Sequence, residues 1–329
     1  MRDTICNSVL WQSFFLLAML NRRHLRIKVL QELYAFFQSG SDDLAVAERN
    51  IFRSINKIYE LYIFLLLFIR ELYEYEKRYS EERPQQKFYT KQAEQSPEVF
   101  SKLSISRMLS HDKKFNSELN RLKLTWMNDH EWVQNIFTRI RKSPEYMNAS
   151  IKSPADEINF LSWVIDSMIV NQEDFKGTLE EKNIQWTEEF EFVCHNLHRT
   201  MQDSISKKSL HLLRLFRDEK DDKAFVRDLF MKTILHSEEY QKMIAEKTFN
   251  WEADRIALMD ILLMKMALAE MCYFPTIPVK VSINEYIDIS KEYSTPKSRE
   301  FINGIIDKLA IELRGNGTIV KTGRGLIEQ

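Results

Sequence analysis

The stretch Pro275-Thr-Ile-Pro-Val-Lys-Val-Ser-Ile-Asn-Glu285 decides how the C-terminal third of this chain folds. Two prolines break the chain, and Ser282-Ile-Asn-Glu285 then has the spacing of a capping box, so a helix is expected over 282–293. Thr295-Pro296 follows with a hydroxyl cap and a proline at the first helical position, opening a helix to about 313 that Gly315 stops. On the N-terminal side, helical spacing of apolar residues predicts helices at about 223–235, 237–246 and 251–273. The charge cluster Arg217 to Lys223 reads as a turn ahead of them, and the tail from Gly315 to Gln329 reads as loose.

Further upstream the same punctuation continues. Ser153-Pro154 is another cap followed by proline, opening an amphipathic helix through Ile169. Helices are also expected at about 112–126, 128–141, 184–202 and 206–217, with a proline-bearing loop at 80–100. Trp126, Trp132, Trp163 and Trp186 all fall in this middle region, which reads as a packed helical unit and not a linker. A long helix over 43–79 carries the apolar run Tyr62 to Ile69, bracketed by Glu60, Arg70 and Glu71. That run is far short of the ~20 residues a bilayer requires, so it reads as a helix buried on most sides. The first helix spans 21–38, with Asn21 as its cap, Leu25, Val29, Leu33 and Phe36 on one stripe, and Ser39-Gly40 at its end. The apolar stretch Val9 to Leu20 is followed, not preceded, by Arg22 and Arg23, unlike a signal peptide. Residues 1–18 read as a dispensable extension ahead of a start at Met19.

Composition narrows the class. The 329 residues are 44% hydrophobic, enough to fill a sizeable core. There are 7 glycines, and five of them (Gly304, Gly315, Gly317, Gly323, Gly325) lie in the last 26 residues. Dinucleotide and P-loop folds need glycine where backbone N–H groups approach phosphate, so neither can be placed here. A chain this poor in glycine and proline reads as all-α. Its 47 Lys plus Arg against 48 Asp plus Glu give a net charge of -1, so any attraction to nucleic acid must come from a local patch. Cys6, Cys194 and Cys272 form neither a disulfide framework nor a metal knuckle, which fits a reducing, cytoplasmic compartment. Cys194, His195 and His198 with Glu191 lack the further cluster that would complete a zinc site, and no metal or other cofactor is expected. Acidic neighbours such as Glu188 and Glu189, or Asp221 and Asp222, read as polar helix faces and not as catalytic pairs. Gly304 inside a helical pattern suggests a close approach of another helix or of a ligand.

The start of the first helix carries Arg22, Arg23, Arg26 and Lys28 and no acid among residues 19–28. Cations there face the positive end of the helix dipole, at roughly 0.3–1 kcal/mol each, a cost that an anionic partner offsets. Arginine's planar fork suits phosphate and guanine edges. Taken alone, such a run is usually just a solvated face.

Two stretches together resemble the NusB family. One is Arg22-Arg-His-Leu-Arg-Ile-Lys-Val-Leu-Gln-Glu-Leu-Tyr34. The other runs from Trp251 through Asp254-Arg-Ile256, Ala267-Leu-Ala-Glu270 and Ile277 to Glu285, and on to Phe301-Ile-Asn-Gly-Ile-Ile-Asp-Lys308. Phe225-Val-Arg-Asp-Leu229 is similar to a further family segment. The likeness covers about 22–38 and 223–310, and the segment from about 76 to 220 has no counterpart in compact members. The resemblance implies a two-subdomain helical bundle, with the N-terminal subdomain and a helical insertion within 19–220, the C-terminal subdomain at 221–314 and a flexible tail at 315–329.

It further implies a non-catalytic factor in transcription antitermination. Such a factor binds boxA-type RNA together with NusE, a small-subunit ribosomal protein, within the transcription elongation complex, and supports ribosomal RNA synthesis. The residues matching the family's RNA surface are Arg22, Arg23, Arg26 and Lys28, with Tyr293, Lys297 and Phe301, whose rings can stack on unpaired bases. Tyr34, Phe225, Glu270 and Lys280 are the expected partner face. Two other readings compete: a helical protein-binding scaffold whose RNA surface is vestigial, and an RNA-modifying enzyme built on such a domain. The scarcity of glycine before Gly304 argues against the enzyme.

Overall fold

A computed structural model describes residues 18–82, 97–248 and 257–326, and all regular elements among them are helical. They begin with α1 (Arg22–Ser39) and α2 (Leu44–Glu82). Next come α3 (Ser104–His111), α4 (Lys113–Leu122), α5 (His130–Lys142), α6 (Pro144–Met147), α7 (Pro154–Ile165), α8 (Glu173–Lys182), α9 (Ile184–Glu188) and α10 (Phe190–Lys207). The last are α11 (Glu219–Leu235), α12 (Ser237–Lys247), α13 (Leu258–Tyr273), α14 (Val279–Tyr293) and α15 (Pro296–Gly315). The described residues form two compact units: those up to Ile55 with those from Phe216 onward, and Asn56–Leu215. The expected loop at 80–100 lies largely outside the described residues, as do 1–17 and 249–256 with Trp251 and Asp254 to Ile256.

In the first unit α13 is the axis. Every residue from Leu262 to Met271 is buried, the pattern of a helix enclosed on all sides, and α1, α11, α12, α14 and α15 surround it. Its buried ionisable groups have partners. Asp260 accepts from the Ser294 hydroxyl, Lys265 Nζ donates to Ser237 Oγ at 2.8 Å, and Glu270 receives several donors. α1 is capped as its sequence directs, with the Asn21 side chain accepting from His24 N at 3.1 Å and Gly40 in the left-handed region at its end.

Four local expectations are corrected in this unit. α14 begins at Val279, directly after Pro278, so Ser282 and Glu285 lie in its second turn and no capping box forms there. The 217–223 cluster is itself a helix start: Asp218 caps α11, and the Asp222 carboxylate accepts from Arg217 N and Asp218 N at 3.0 and 3.2 Å. Gly304 has nothing within 4 Å of where a Cβ would stand, so no close approach accounts for it. The tail is not loose up to Leu326. Thr322 N donates to Pro275 O and Lys321 Nζ to Phe274 O, both at 2.9 Å, while Ile319 is buried. At Gly325 a Cβ would stand 1.9 Å from Pro275 O, so only glycine fits this docked turn.

The second unit is built on the apolar run of α2, in which Tyr62 to Ile69 are all buried. Phe64 stacks on Trp126 at 4.3 Å between centroids and meets Trp186 at 5.0 Å, while Phe68 meets Trp126 and Phe175 at 4.9 and 5.1 Å. Glu76, 1% exposed, accepts from the N–H groups of Val99, Phe100 and Ser101 and from the Tyr146 hydroxyl, tying the chain after residue 97 to α2. Residues 206–217, expected as a helix, are irregular beyond Lys207. Lys208 ends α10 in the left-handed region, and side chains then take the backbone bonds: His211 N donates to Ser204 Oγ at 2.9 Å and Leu213 N to the Tyr62 hydroxyl at 3.2 Å.

Candidate functional site

The cationic start of α1 lines a cleft of about 950 Å³ in the first unit. Arg22, Arg23 and Arg26 share it with Arg217, Arg324 and Phe225, and three acids, Asp221, Asp228 and Glu285, lie on its walls. The α1 arginines lie at two depths.

Arg26 is the innermost, at 3% exposure. Its Nε and Nη2 make a bidentate pair with Glu270 at 2.7 and 2.8 Å, and Nη1 reaches Glu285 at 3.3 Å. Glu270, wholly buried on α13, also accepts from Ser282 Oγ at 2.8 Å and from the Tyr286 hydroxyl at 3.1 Å. Burial opposes the charge on Arg26, but the facing Glu270 carboxylate outweighs it and holds the guanidinium pKa above its ordinary value. Burial and the Glu270 charge together push the Tyr286 hydroxyl pKa well up. The Ser282 to Glu285 signature thus serves a buried polar hub and not a helix start.

Arg23, further out, bonds both oxygens of Glu285 at 3.1 Å and Asp288 at 2.8 Å. The bonds to Glu285 outweigh its partial burial and raise its pKa. Arg22 lies at the same outer level. It pairs with Asp221, approaches Asp222 at 3.4 Å and lies 4.2 Å from the centroid of the Phe225 ring. The dipole cost of cations at this helix start is therefore met within the chain, by the first turn of α11 and by α14. That solution was not legible in α1, whose first turn has no acid.

The other expected residues fall into distinct places. Lys28 is 4% exposed and donates to Gln31 Oε1 at 2.9 Å, and Gln31 Nε2 donates to the Tyr293 hydroxyl at 3.3 Å, joining α1 to the end of α14. Lys297 is exposed and Phe301 half-buried, one turn apart on α15. Of the expected partner face, Tyr34 and Lys280 are exposed, whereas Phe225 lies beneath Arg22 and Glu270 beneath Arg26. Arg217 and Arg324 were missed: one sits in a charge cluster read as a turn, the other in a segment read as a loose tail.

The fold and the site define an all-helical domain with a graded arginine cleft at the start of its first helix. Comparison with known proteins places that domain. The NusB family model matches residues 185–310, beginning inside the segment expected to be an insertion. The transcription antitermination protein NusB of Salinibacter ruber is 42% identical over 140 residues, 42% of this chain and 88% of the relative. That of Chloroherpeton thalassium is 42% identical over 106 residues, 32% of this chain and 50% of the relative. That of Desulforamulus reducens is 44% identical over 85 residues, 26% of this chain and 59% of the relative. No solved structure matches. The chain belongs to the NusB family. No helix among the described residues is long and apolar enough to cross a membrane, and no group of metal-ligating side chains assembles among them.

Proposed function

We propose that this protein is a non-catalytic, cytoplasmic transcription antitermination factor that binds boxA-type RNA together with NusE in the elongation complex. The observation that carries the reading is the gradation of the arginine cleft in a NusB-family chain. Arg22 pairs with Asp221, whose side chain is 72% exposed, and Arg23 is itself 40% exposed. Exposed ion pairs are worth only about 0–1 kcal/mol, so a phosphate oxygen can replace Asp221 at small cost, while the half-buried Glu285 and Asp288 leave the Arg23 guanidinium open on its solvent side. Arg26 is different: it stays on Glu270 and fixes the helix that presents the outer two. Arg22 and Arg23 are thus the phosphate-contacting residues, while Arg26 and Lys28 act by positioning α1. Lys297 supplies a further cation, and Tyr293 and Phe301 supply ring faces for unpaired bases. Tyr34 and Lys280 are the members of the expected NusE face that a partner can touch, with Phe225 and Glu270 supporting them from inside.

The test is a salt titration of RNA binding by the purified chain, with boxA RNA and a scrambled control, with and without NusE. NusE is expected to tighten boxA binding well beyond the control. If RNA binds in neither condition while NusE is retained, the protein-binding scaffold replaces this reading.

A further inference from the structure

We infer that a groove in the second unit is an additional, sequence-independent binding site for the phosphate backbone of single-stranded RNA. The inference rests on the RNA-binding reading above but concerns residues outside the arginine cleft. The groove, of about 500 Å³, lies among the turn at Phe100–Lys102, the start of α7 and the end of α10. Its size is that of a small-ligand pocket, room for roughly one nucleotide.

Four cations line it: Lys102, Arg107, Lys152 and Lys208, all exposed. Among the described residues, none of the four has a side-chain ion pair or hydrogen bond. Lys207, next to Lys208 in the chain, instead reaches Asp203 at 3.9 Å. The acids nearby are already engaged. Glu157, the one acid in the lining, is buried and accepts from Ser104 Oγ and Ile105 N within 3.0 Å. Asp156 takes the Lys152 and Ser153 N–H groups at 3.0 and 2.9 Å, and these bonds hold its carboxyl below the ordinary range.

Four like charges around one concavity repel one another, and an anion that enters relieves the repulsion. Lysine acts as a point charge toward phosphate, and three of the four are lysines. The remaining lining includes Met108, Ile151 and Ile205 and no aromatic ring, so no side-chain ring there stacks a base, and the Arg107 fork is the one group among the lining cations suited to a base edge. With the other three cations lysine, contact is chiefly to the backbone and largely indifferent to sequence.

The experiment uses the full chain and the triple variant K102E/R107E/K208E, whose three sites are exposed and leave the core untouched. Binding of scrambled single-stranded RNA is followed by fluorescence anisotropy across a salt series, with R22E/R23E alongside and poly-glutamate as competitor. The triple variant is expected to bind roughly tenfold or more weakly and to lose about 2 from the slope of log affinity against log salt, at ~0.7 per phosphate contact. Unchanged affinity and slope in the triple variant, with the wild type binding, would overturn the proposal while leaving the function above standing. Loss in R22E/R23E without loss in the triple variant would overturn it in the same way. Poly-glutamate that binds the wild type but not the triple variant, with RNA affinity the same in both, would assign the groove to an acidic protein and overturn the RNA proposal. A wild-type chain that binds no RNA at low salt overturns both.

Discussion

The arginine cleft of the first unit and the basic groove of the second differ in where their cations find anions. Arg22, Arg23 and Arg26 each pair with a carboxylate from another helix, whereas Lys102, Arg107 and Lys208 make no side-chain ion pair among the described residues, the one carboxylate of their groove, Glu157, being bonded to Ser104 and Ile105. A cation already paired is held in one geometry, so an RNA that replaces its partner meets a preset register. An unpaired cation offers stronger attraction and less definition. One cleft is suited to specificity, the other to affinity.

The comparison breaks most visibly at its buried end. Glu270→Ala would leave buried Arg26 with only its 3.3 Å contact to Glu285, and Ser282 and Tyr286 without their acceptor. A loss of about 3–5 kcal/mol is expected in denaturant unfolding. A loss below about 1 kcal/mol, the range of exposed pairs, would show that the hub is open to solvent.

A smaller effect is expected where the tail closes on the first unit. Gly325→Ala places a methyl against Pro275 O, and overpacking of this kind costs about 1–3 kcal/mol. The tail should respond by lifting, with faster hydrogen exchange at the Thr322 amide and with Arg324 withdrawn from the cleft. Unaltered exchange at Thr322 would mean that the turn tolerates a side chain.

The mildest consequence is a titration. Burial lowers the Lys321 pKa from an ordinary 10.5 to about 8. Below pH 8 the ammonium is charged in folded and unfolded chain alike. Between 8 and 10.5 only the unfolded chain keeps the proton, so this group's contribution to stability rises with pH through that window. An NMR titration of Lys321 should have its midpoint near 8, and Gly325→Ala should return it toward 10.5. A wild-type midpoint near 10.5 would place the lysine in water.

The all-helical class was legible because its signals are local. Scarce glycine, Asn21 before α1, and the cap-plus-proline pairs Ser153-Pro154 and Thr295-Pro296 mark helix starts that the structure uses as written. The Ser282 to Glu285 signature has the right spacing for a cap, yet Pro278 starts the helix one turn earlier and tertiary partners claim both side chains. Arg26 and Glu270 are 244 positions apart, so nothing local in α1 distinguishes the arginine that turns inward from the two that remain outside. Arg217, Arg324 and the second groove were hidden for the same reason: each exists through contacts made at a distance along the chain.

The exchange of carboxylate for phosphate at the outer arginines is tested most directly by the affinity of Arg22→Glu/Arg23→Glu for boxA RNA in the presence of NusE, measured beside its unfolding curve. Charge reversal deprives Asp221, Glu285 and Asp288 of Arg22 and Arg23 and sets like charges against them, so some stability is lost. The buried Arg26–Glu270 pair is untouched and the double variant should still fold, while RNA affinity should fall roughly tenfold or more with a flatter salt dependence. An unchanged RNA affinity in a stably folded double variant would contradict the central claim that the outer arginines exchange their carboxylates for phosphate.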